Sequence, residues 1–285
     1  MPELPEVETI RRDLLDVILY KNIVKVDVIK DNLVKQDTKE FIDIILNNQF
    51  LDIERRGKLL SFSLMGDWNM LVHLRMTGQL MYEGVKGLLV GGHSLTRAET
   101  VLPNPYSYII FYFADKTTLY FNCMRQFGYM QVVDNNEKEK IFSKFGPEPL
   151  LPGFTLKVFK SILDGKSTVL KPFLLDQTKV AGIGNIYVDE ACFDAGILPY
   201  RRVNTLLNAE IEKLYNAIKK ILRKAVKERG TTFNNYVDAN GNHGNFSTLL
   251  KVYGRGGMDC QKCGKILTKI KVGGRGTVFC GGCQK

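Results

Sequence analysis

The 285-residue sequence has no run approaching the ~18 consecutive apolar residues of a membrane span, so no membrane association is expected. Its start, MPELPEVET, turns acidic at the third residue and lacks the apolar core of a secretory signal, so the cytosol is the expected compartment. It also lacks tandem repeats and low-complexity tracts, which sets aside repeat arrays and disordered tails. Cysteine is scarce outside the C-terminus: of six, only Cys123 and Cys192 stand apart, and four fall in the last 26 residues. A reducing compartment disfavours disulfides, so the terminal group reads as a metal site. Acidic residues are outnumbered 30 to 40 by basic ones, and a net charge of +10 points to a polyanionic partner, most often nucleic acid.

What is present has an ordinary globular composition, 45% hydrophobic and 25% charged, long enough for about two domains and a small appendage. Val7, Ile10, Leu14 and Ile18 recur at helical spacing from about Pro5, with Arg11 and Arg12 on another face and Glu3 and Glu6 where the helix dipole favours negative charge. Strand-like alternation follows at Leu60, Phe62 and Leu64, with a turn at Gly66-Asp67 and an apolar run from Leu71 to Leu74. Tyr108–Phe113 and Thr117–Phe121 flank a hairpin at Ala114-Asp115-Lys116. Residues 1–133 therefore read as a mostly β domain carrying helices. The Gly- and Pro-rich stretch from Gly84 to Pro105 reads as a long loop, and 134–152, polar and then rich in proline, as the linker. The second half turns helical. Leu206, Leu207, Ile211, Leu214, Ile218, Ile221, Leu222 and Val226 keep the helical period until Gly230 ends it, and a Gly- and Asn-rich polar loop follows.

At the C-terminus, Cys260-x2-Cys263 and Cys280-x2-Cys283 are separated by 16 residues. Two such knuckles offer four thiolates in a tetrahedron, the closed geometry of structural Zn²⁺, with no position left for a catalytic water. The segment is too short for its own core, so the metal supplies most of its folding free energy. Between the knuckles, LTKIKVGGRGTVF reads as a β-hairpin turning at Gly273-Gly274 with Arg275 at its tip, suited to a DNA groove or a phosphate. A redox pair is the weaker alternative, because the knuckles come as a matched set.

MPELPEVET, HLRMTG, GIGNIYVDEA and the final VYGR…CxxC…GGRGTVFCGGCQK, in that order and over nearly the whole chain, resemble the formamidopyrimidine-DNA glycosylase family. The resemblance implies an α+β fold. An N-terminal catalytic β-sandwich flanked by helices (1–133) would be followed by a helix-two-turns-helix domain (153–248) and a zinc finger (249–285). It implies a monomeric base-excision repair enzyme, cytoplasmic and nucleoid-associated, that removes oxidised purines from damaged double-stranded DNA and then cleaves the strand, with one structural Zn²⁺. Pro2, freed of Met1, would present a secondary amine. Such an amine can attack a sugar carbon and form an iminium that acidifies the neighbouring carbon for elimination. An α-amino group titrates near pH 8, so more of it is neutral at pH 7 than of a lysine. By resemblance Glu3 donates a proton to the leaving base or opened sugar and Glu6 helps to hold the site. Lys58 serves phosphate contact and β-elimination, and Arg275 holds the target phosphate and serves δ-elimination. Met76 and Phe127 would wedge into the stack while Arg125 faces the orphaned cytosine, whose pairing edge offers acceptors. Asn185, in a Gly-rich turn entering a helix, and His73, Tyr253, Lys269 and Lys166 would contact phosphates. Read without the family, Met76 and Phe127 would be core residues, Lys58 a surface lysine and His73 a structural histidine.

Four features depart from the family pattern. Cys123 stands where an aspartate usually orients the wedge arginine, so a looser Arg125 is expected. Tyr106 and Tyr108 replace two histidines, with Tyr106 as the candidate DNA contact. Asn242 replaces a lysine, and the 84–105 stretch is longer than usual. Two other readings compete: an endonuclease VIII-like enzyme acting on oxidised pyrimidines, disfavoured by ELPEVET and the GTTF loop, and a non-catalytic zinc-finger damage sensor, which has no need of Pro2 followed by Glu3 and Glu6.

Overall fold

The computed structural model describes residues 1–85, 87–92, 101–231 and 246–285. They fall into two compact units, 1–143 with 228–245, and 144–227 with 246–285. No helix among the described residues is long and apolar enough to cross a membrane.

The first unit is the β-sandwich with flanking helices expected from the sequence. Helix α1 (Leu4–Ile18) precedes β1 (Ile23–Val28), α2 (Thr38–Ile45), β2 (Phe50–Arg56), β3 (Leu59–Leu64), β4 (Trp68–His73), β5 (Gly78–Gly84), β6 (Gly87–Gly92), β7 (Ser107–Phe113), β8 (Thr118–Cys123), β9 (Tyr129–Asp134) and α3 (Asn135–Ser143). Five strands form one sheet in the order β1-β7-β8-β5-β6, and four form the other in the order β2-β3-β4-β9, with antiparallel neighbours throughout. The alternation read at Leu60, Phe62 and Leu64 puts all three in the core between the sheets. Phe50 joins the layers there, with ring centroids 5.2 Å from Phe62 in its own sheet and 6.1 Å from Phe111 in the other. Removing such a ring costs about 3–5 kcal/mol. The apolar stripe of α1, Val7, Ile10, Leu14 and Ile18, closes the same core.

Two stretches differ from the sequence reading. The expected loop from Gly84 contains β6, which pairs with β5 from Gln79↔Gly92 to Gly84↔Gly87. The residues LLV explain it, because Leu89 packs on the main core while Leu88 and Val90 join Met81, Ile110 and Tyr120 in a second apolar cluster. Residues 93–100 of that stretch lie outside the described residues, as does most of the polar loop after Gly230, with Asn242. Residues 135–143, read as linker, form helix α3 instead. Asp134 Oδ1 accepts the Glu137 N–H at 2.7 Å, and Lys138 reaches Glu54 at 3.1 Å, so a charged stretch finds helical partners.

The second unit contains α4 (Leu156–Leu163), α5 (Leu170–Leu175), α6 (Asn185–Ala195), α7 (Asn208–Lys227) and the hairpin β10 (Thr268–Val272) and β11 (Arg275–Phe279). Leu214, Ile218 and Leu222 of α7 pack with Phe159, Leu174, Tyr187 and Val188. Where the hairpin turns, Gly273 has φ +56, and a Cβ there would lie 2.5 Å from Pro172 Cγ, so the tip abuts α5 and only glycine fits. A fully buried ion pair fixes the hairpin. Lys171 Nζ lies 2.7 Å from Asp189 Oδ1 and donates to the Gly276 carbonyl at 3.0 Å, while Asp189 Oδ2 accepts the Val278 N–H at 3.0 Å. Burial pushes the Asp189 carboxyl up to about 6 despite the lysine. On the next residue, Glu190 accepts the backbone N–H groups of Lys251, Val252 and Tyr253 at 2.9 Å.

Candidate active site

The head of α1 buries carboxylates. Pro2 is buried, Glu3 is 2% exposed and Glu6 1%. The two acids form a reciprocal capping box in which the Glu3 N–H donates to Glu6 Oε2 at 2.9 Å. The other Glu6 oxygen reaches 225 residues along the chain, accepting the Thr231 N–H at 2.9 Å and the Thr231 hydroxyl at 3.2 Å. Glu6 therefore binds the segment after α7 to the start of α1, a link no local pattern could reveal.

Lys58 is not a surface lysine: it is 6% exposed, in the Gly57-Lys58 turn between β2 and β3. Across the ladder from Leu59 stands His73. Burial first, then the charges of Arg75 and Lys58, push its imidazole down to about 3, so it is neutral at physiological pH. The Arg75 N–H donates to His73 Nδ1 at 3.0 Å, which puts the ring proton on Nε2 and makes that edge a donor. A neutral donor among cations suits an anionic ligand.

Met76, Arg125 and Phe127 come together. Arg125 Nη1 lies 3.3 Å from Met76 Sδ, and its guanidinium carbon sits 4.9 Å from the Phe127 ring centroid. Met76 and Phe127 are 38% and 54% exposed, so neither is a core residue. Two exposed apolar side chains thus flank one cation on neighbouring loops. No carboxylate stands at position 123 to orient the Arg125 guanidinium, but the loop that carries it is closed by other bonds. The Cys123 thiol accepts the Gly128 N–H at 3.3 Å and its carbonyl the Gln126 N–H at 2.9 Å, closing the loop without a carboxylate. Gln126 Nε2 donates to the Tyr108 hydroxyl at 3.3 Å, and the Arg125 N–H to Thr77 Oγ1 at 3.0 Å. Half-buried Tyr106 is part of this frame, its carbonyl accepting the Cys123 N–H at 3.0 Å.

In the second unit the four cysteine sulfurs lie within 4.8 Å of one another, with Cys260–Cys283 at 3.9 Å and Cys263–Cys280 at 3.4 Å. Tetrahedral Zn–S bonds of about 2.3 Å require sulfurs about 3.8 Å apart, so the set fits the ion. Outside the thiolates, Gln284 accepts the Cys280 N–H at 2.8 Å and donates to the Ile197 carbonyl at 2.8 Å, tying the second knuckle to the helical core. Arg275, Lys269 and Lys166 are exposed, and Tyr253 is half-buried. Asn185 uses one amide N–H on the Gly276 carbonyl at 3.1 Å, so it braces the residue after Arg275 as well as standing at the head of α6. The Gly-rich turn before it is held by Gln177, which accepts the Gly182 N–H at 2.8 Å and donates to the Ile183 carbonyl at 3.0 Å.

Buried carboxylates at a helix head beside a proline, a loop of exposed apolar side chains with one arginine, and a basic hairpin set by four thiolates together define a zinc-finger enzyme that works on nucleic acid. Comparison with known proteins narrows this class. The formamidopyrimidine-DNA glycosylase N-terminal domain matches residues 1–130, the H2TH domain of the same enzymes 145–236, and the zinc finger found in FPG and IleRS 260–285. The formamidopyrimidine-DNA glycosylase of Desulfitobacterium hafniense is 42% identical over 272 residues, 94% of each chain. That of Carboxydothermus hydrogenoformans is 39% identical over 286 residues, 100% of each. The crystal structure of wild-type Lactococcus lactis Fpg with N7-benzyl-Fapy-dG DNA superposes with a TM-score of 0.88 at 33% identity, covering 100% of both chains. The same enzyme with abasic-site DNA gives 0.87 at 33% identity over 99% of both. The chain belongs to the formamidopyrimidine-DNA glycosylase family.

Proposed function

We propose that this protein is a bifunctional base-excision repair enzyme, a DNA glycosylase and apurinic/apyrimidinic lyase that acts on oxidised purines, 8-oxoguanine and formamidopyrimidines, in damaged duplex DNA. Full-length similarity to enzymes of that name supports the class. The observation that carries the chemistry is the buried Pro2-Glu3-Glu6 cluster at the head of α1. In this reading Met1 is removed and the Pro2 nitrogen attacks the sugar C1′. The base leaves, the C1′–O4′ bond opens with a proton from Glu3 on the base or on O4′, and the iminium so formed lets a C2′ proton depart as the 3′ phosphate is expelled. Lys58 assists that elimination and holds phosphate with His73. Arg275, Asn185, Lys166, Tyr253 and Lys269 grip the strand, and Arg275 also serves the second elimination. Met76 and Phe127 fill the gap left by the extruded base, and Arg125 faces the orphaned cytosine. One structural Zn²⁺ on Cys260, Cys263, Cys280 and Cys283 holds the hairpin. Residues 1–133 form the catalytic domain, 153–248 the helical DNA-binding domain and 249–285 the finger of a monomer that works in the cytoplasm on the nucleoid.

Borohydride trapping on abasic-site duplex tests the nucleophile. Wild type forms a covalent adduct at Pro2, and Pro2→Gly, with its methionine removed, traps far more slowly. A fully active protein that retains Met1 overturns the chemistry.

A further inference from the structure

Glu8 lies on α1 at the level of the second helical turn, and three guanidinium groups converge on it. Arg11 Nη2 donates at 2.9 Å, Arg12 Nε at 2.8 Å and Arg55 Nε at 3.0 Å. A surface ion pair on a helix would account for Arg11 and Arg12, which are three and four residues away. It does not account for Arg55, which comes from the end of β2, is only 7% exposed at its side chain and meets a carboxylate 10% exposed. Placing a guanidinium there costs desolvation that an exposed pair avoids.

The second arm of Arg55 shows what the placement achieves. Its Nη1 donates to the Gly57 carbonyl at 2.9 Å. Gly57, at φ +59, opens the tight turn whose other residue is Lys58. One rigid fork thus joins α1, the helix that follows Pro2 and Glu3 and carries Glu6, to the peptide immediately before Lys58. Arg11 makes a parallel tie from the same helix to the Ile53 carbonyl of β2 at 3.2 Å, but it stops short of the turn. Arg12, 58% exposed at its side chain, touches only Glu8 among the bonds described.

We propose that Arg55 is the positioning residue for Lys58, clamping the Gly57-Lys58 turn to Glu8 so that the lysine keeps a fixed station relative to the head of α1. This rests on the reading of Lys58 as a participant in strand cleavage. The clamp needs a planar two-armed donor. A lysine at 55 can satisfy Glu8 or the Gly57 carbonyl but cannot hold both in one geometry. A reacting group displaced by about 1 Å loses roughly 100-fold in rate.

The test uses full-length, zinc-loaded protein and single-turnover cleavage of a duplex with a preformed abasic site. Rates are expressed per active site, counted by borohydride trapping, so that partial misfolding does not register. Arg55→Gln is expected to cleave about 10- to 100-fold more slowly per trapped site. Arg12→Ala, which also strips a donor from Glu8, is expected to cleave at the wild-type rate. Arg55→Lys keeps the buried charge on Glu8, so it tests the clamp even where Arg55→Gln fails to fold; it should regain thermal stability without regaining the rate. A wild-type rate per site in Arg55→Lys, or an equal loss in Arg12→Ala, overturns the proposal. If wild type itself forms no adduct, the failure lies with the reading of the active site and not with Arg55.

Discussion

Gly230 lies far along the chain from Pro2, yet replacing it with alanine should damage the head of α1. Its φ is +81, and a methyl group there would sit 2.6 Å from Glu6 Oε1 and 3.0 Å from Glu6 Cγ and Cδ. The carboxylate cannot simply retreat, because Oε1 accepts both the N–H and the hydroxyl of Thr231, and Oε2 accepts the Glu3 N–H. The left-handed backbone alone costs an L-residue about 1–2 kcal/mol. Losing one buried bond to a charged acceptor adds about 1.5–3 kcal/mol. Gly230→Ala should therefore lose roughly 3–4 kcal/mol in urea unfolding, provided that the two costs add. It should also lose about 100-fold in the trapping rate per folded molecule, since Glu3 is fastened to Glu6. A second substitution separates the two effects. Thr231→Val removes only the longest of the described bonds to Glu6, 3.2 Å and part-buried, without adding an atom at 230, so it should cost about 1 kcal/mol, below the range for a fully buried bond, and leave the trapping rate near wild type. If Gly230→Ala unfolds within about 0.5 kcal/mol of wild type and traps equally fast, the close approach to Glu6 does not constrain the site.

Stability should also depend on pH through Glu8. Burial by itself would raise that carboxyl, but the bonds from Arg11, Arg12 and Arg55 outweigh it and hold it at about 2, against an ordinary 4.5. A depressed acid stabilises the fold fully above about pH 4.5 and loses that contribution as pH falls towards 2. After solvent screening the amount is roughly 1–2 kcal/mol, and Glu8→Gln should flatten that part of the urea stability curve; an unchanged slope refutes the assignment. Chelating the zinc should abolish binding to abasic-site duplex and expose residues 250–285 to protease, and metal-free protein of unchanged affinity would contradict it. Asp189→Asn should cost about 3–5 kcal/mol by removing the carboxylate charge that faces buried Lys171, with a denaturation midpoint near wild type as the opposing result. Phe127→Ala should slow excision from duplex about tenfold more than excision of an unpaired lesion, and equal slowing would remove the wedge from the account.

Much of the architecture could be read from periodicity. The stripe Val7, Ile10, Leu14, Ile18 marks which face of α1 is covered, and the alternation at Leu60, Phe62, Leu64 marks which face of β3 is covered. Both signals are local, and so is the cysteine spacing. The misread stretches show the limit of such signals. Glycine and proline around 84–105 suggest a loop, but a three-residue apolar core, Leu88-Leu89-Val90, is enough for a strand when a paired edge is available at β5. Likewise 135–143 looks like linker by charge, but Lys138 finds Glu54 on β2, a partner that proximity in sequence does not announce.

The candidate site divides along the same line. The groups proposed to meet DNA sit in short motifs at loop tips and in the hairpin, where residue type alone carries information: Met76 in HLRMTG, Arg125 and Phe127 in MRQFG, Arg275 in the hairpin. Buried acids with basic or amide partners far along the chain are harder to read. Glu6 with Thr231, Glu8 with Arg55, and Asp189 with Lys171 and Val278 belong to this second kind. No local pattern sets Glu8, Asp189 or Glu190 apart from the other charged residues of the chain. Only burial distinguishes them, because an acid removed from water must find donors or remain protonated. Cys123 shows the converse. The motif predicts a carboxylate and finds a thiol, yet the thiol accepts the Gly128 N–H and the loop closes. A buried acceptor at that position can therefore close the loop without carrying a charge.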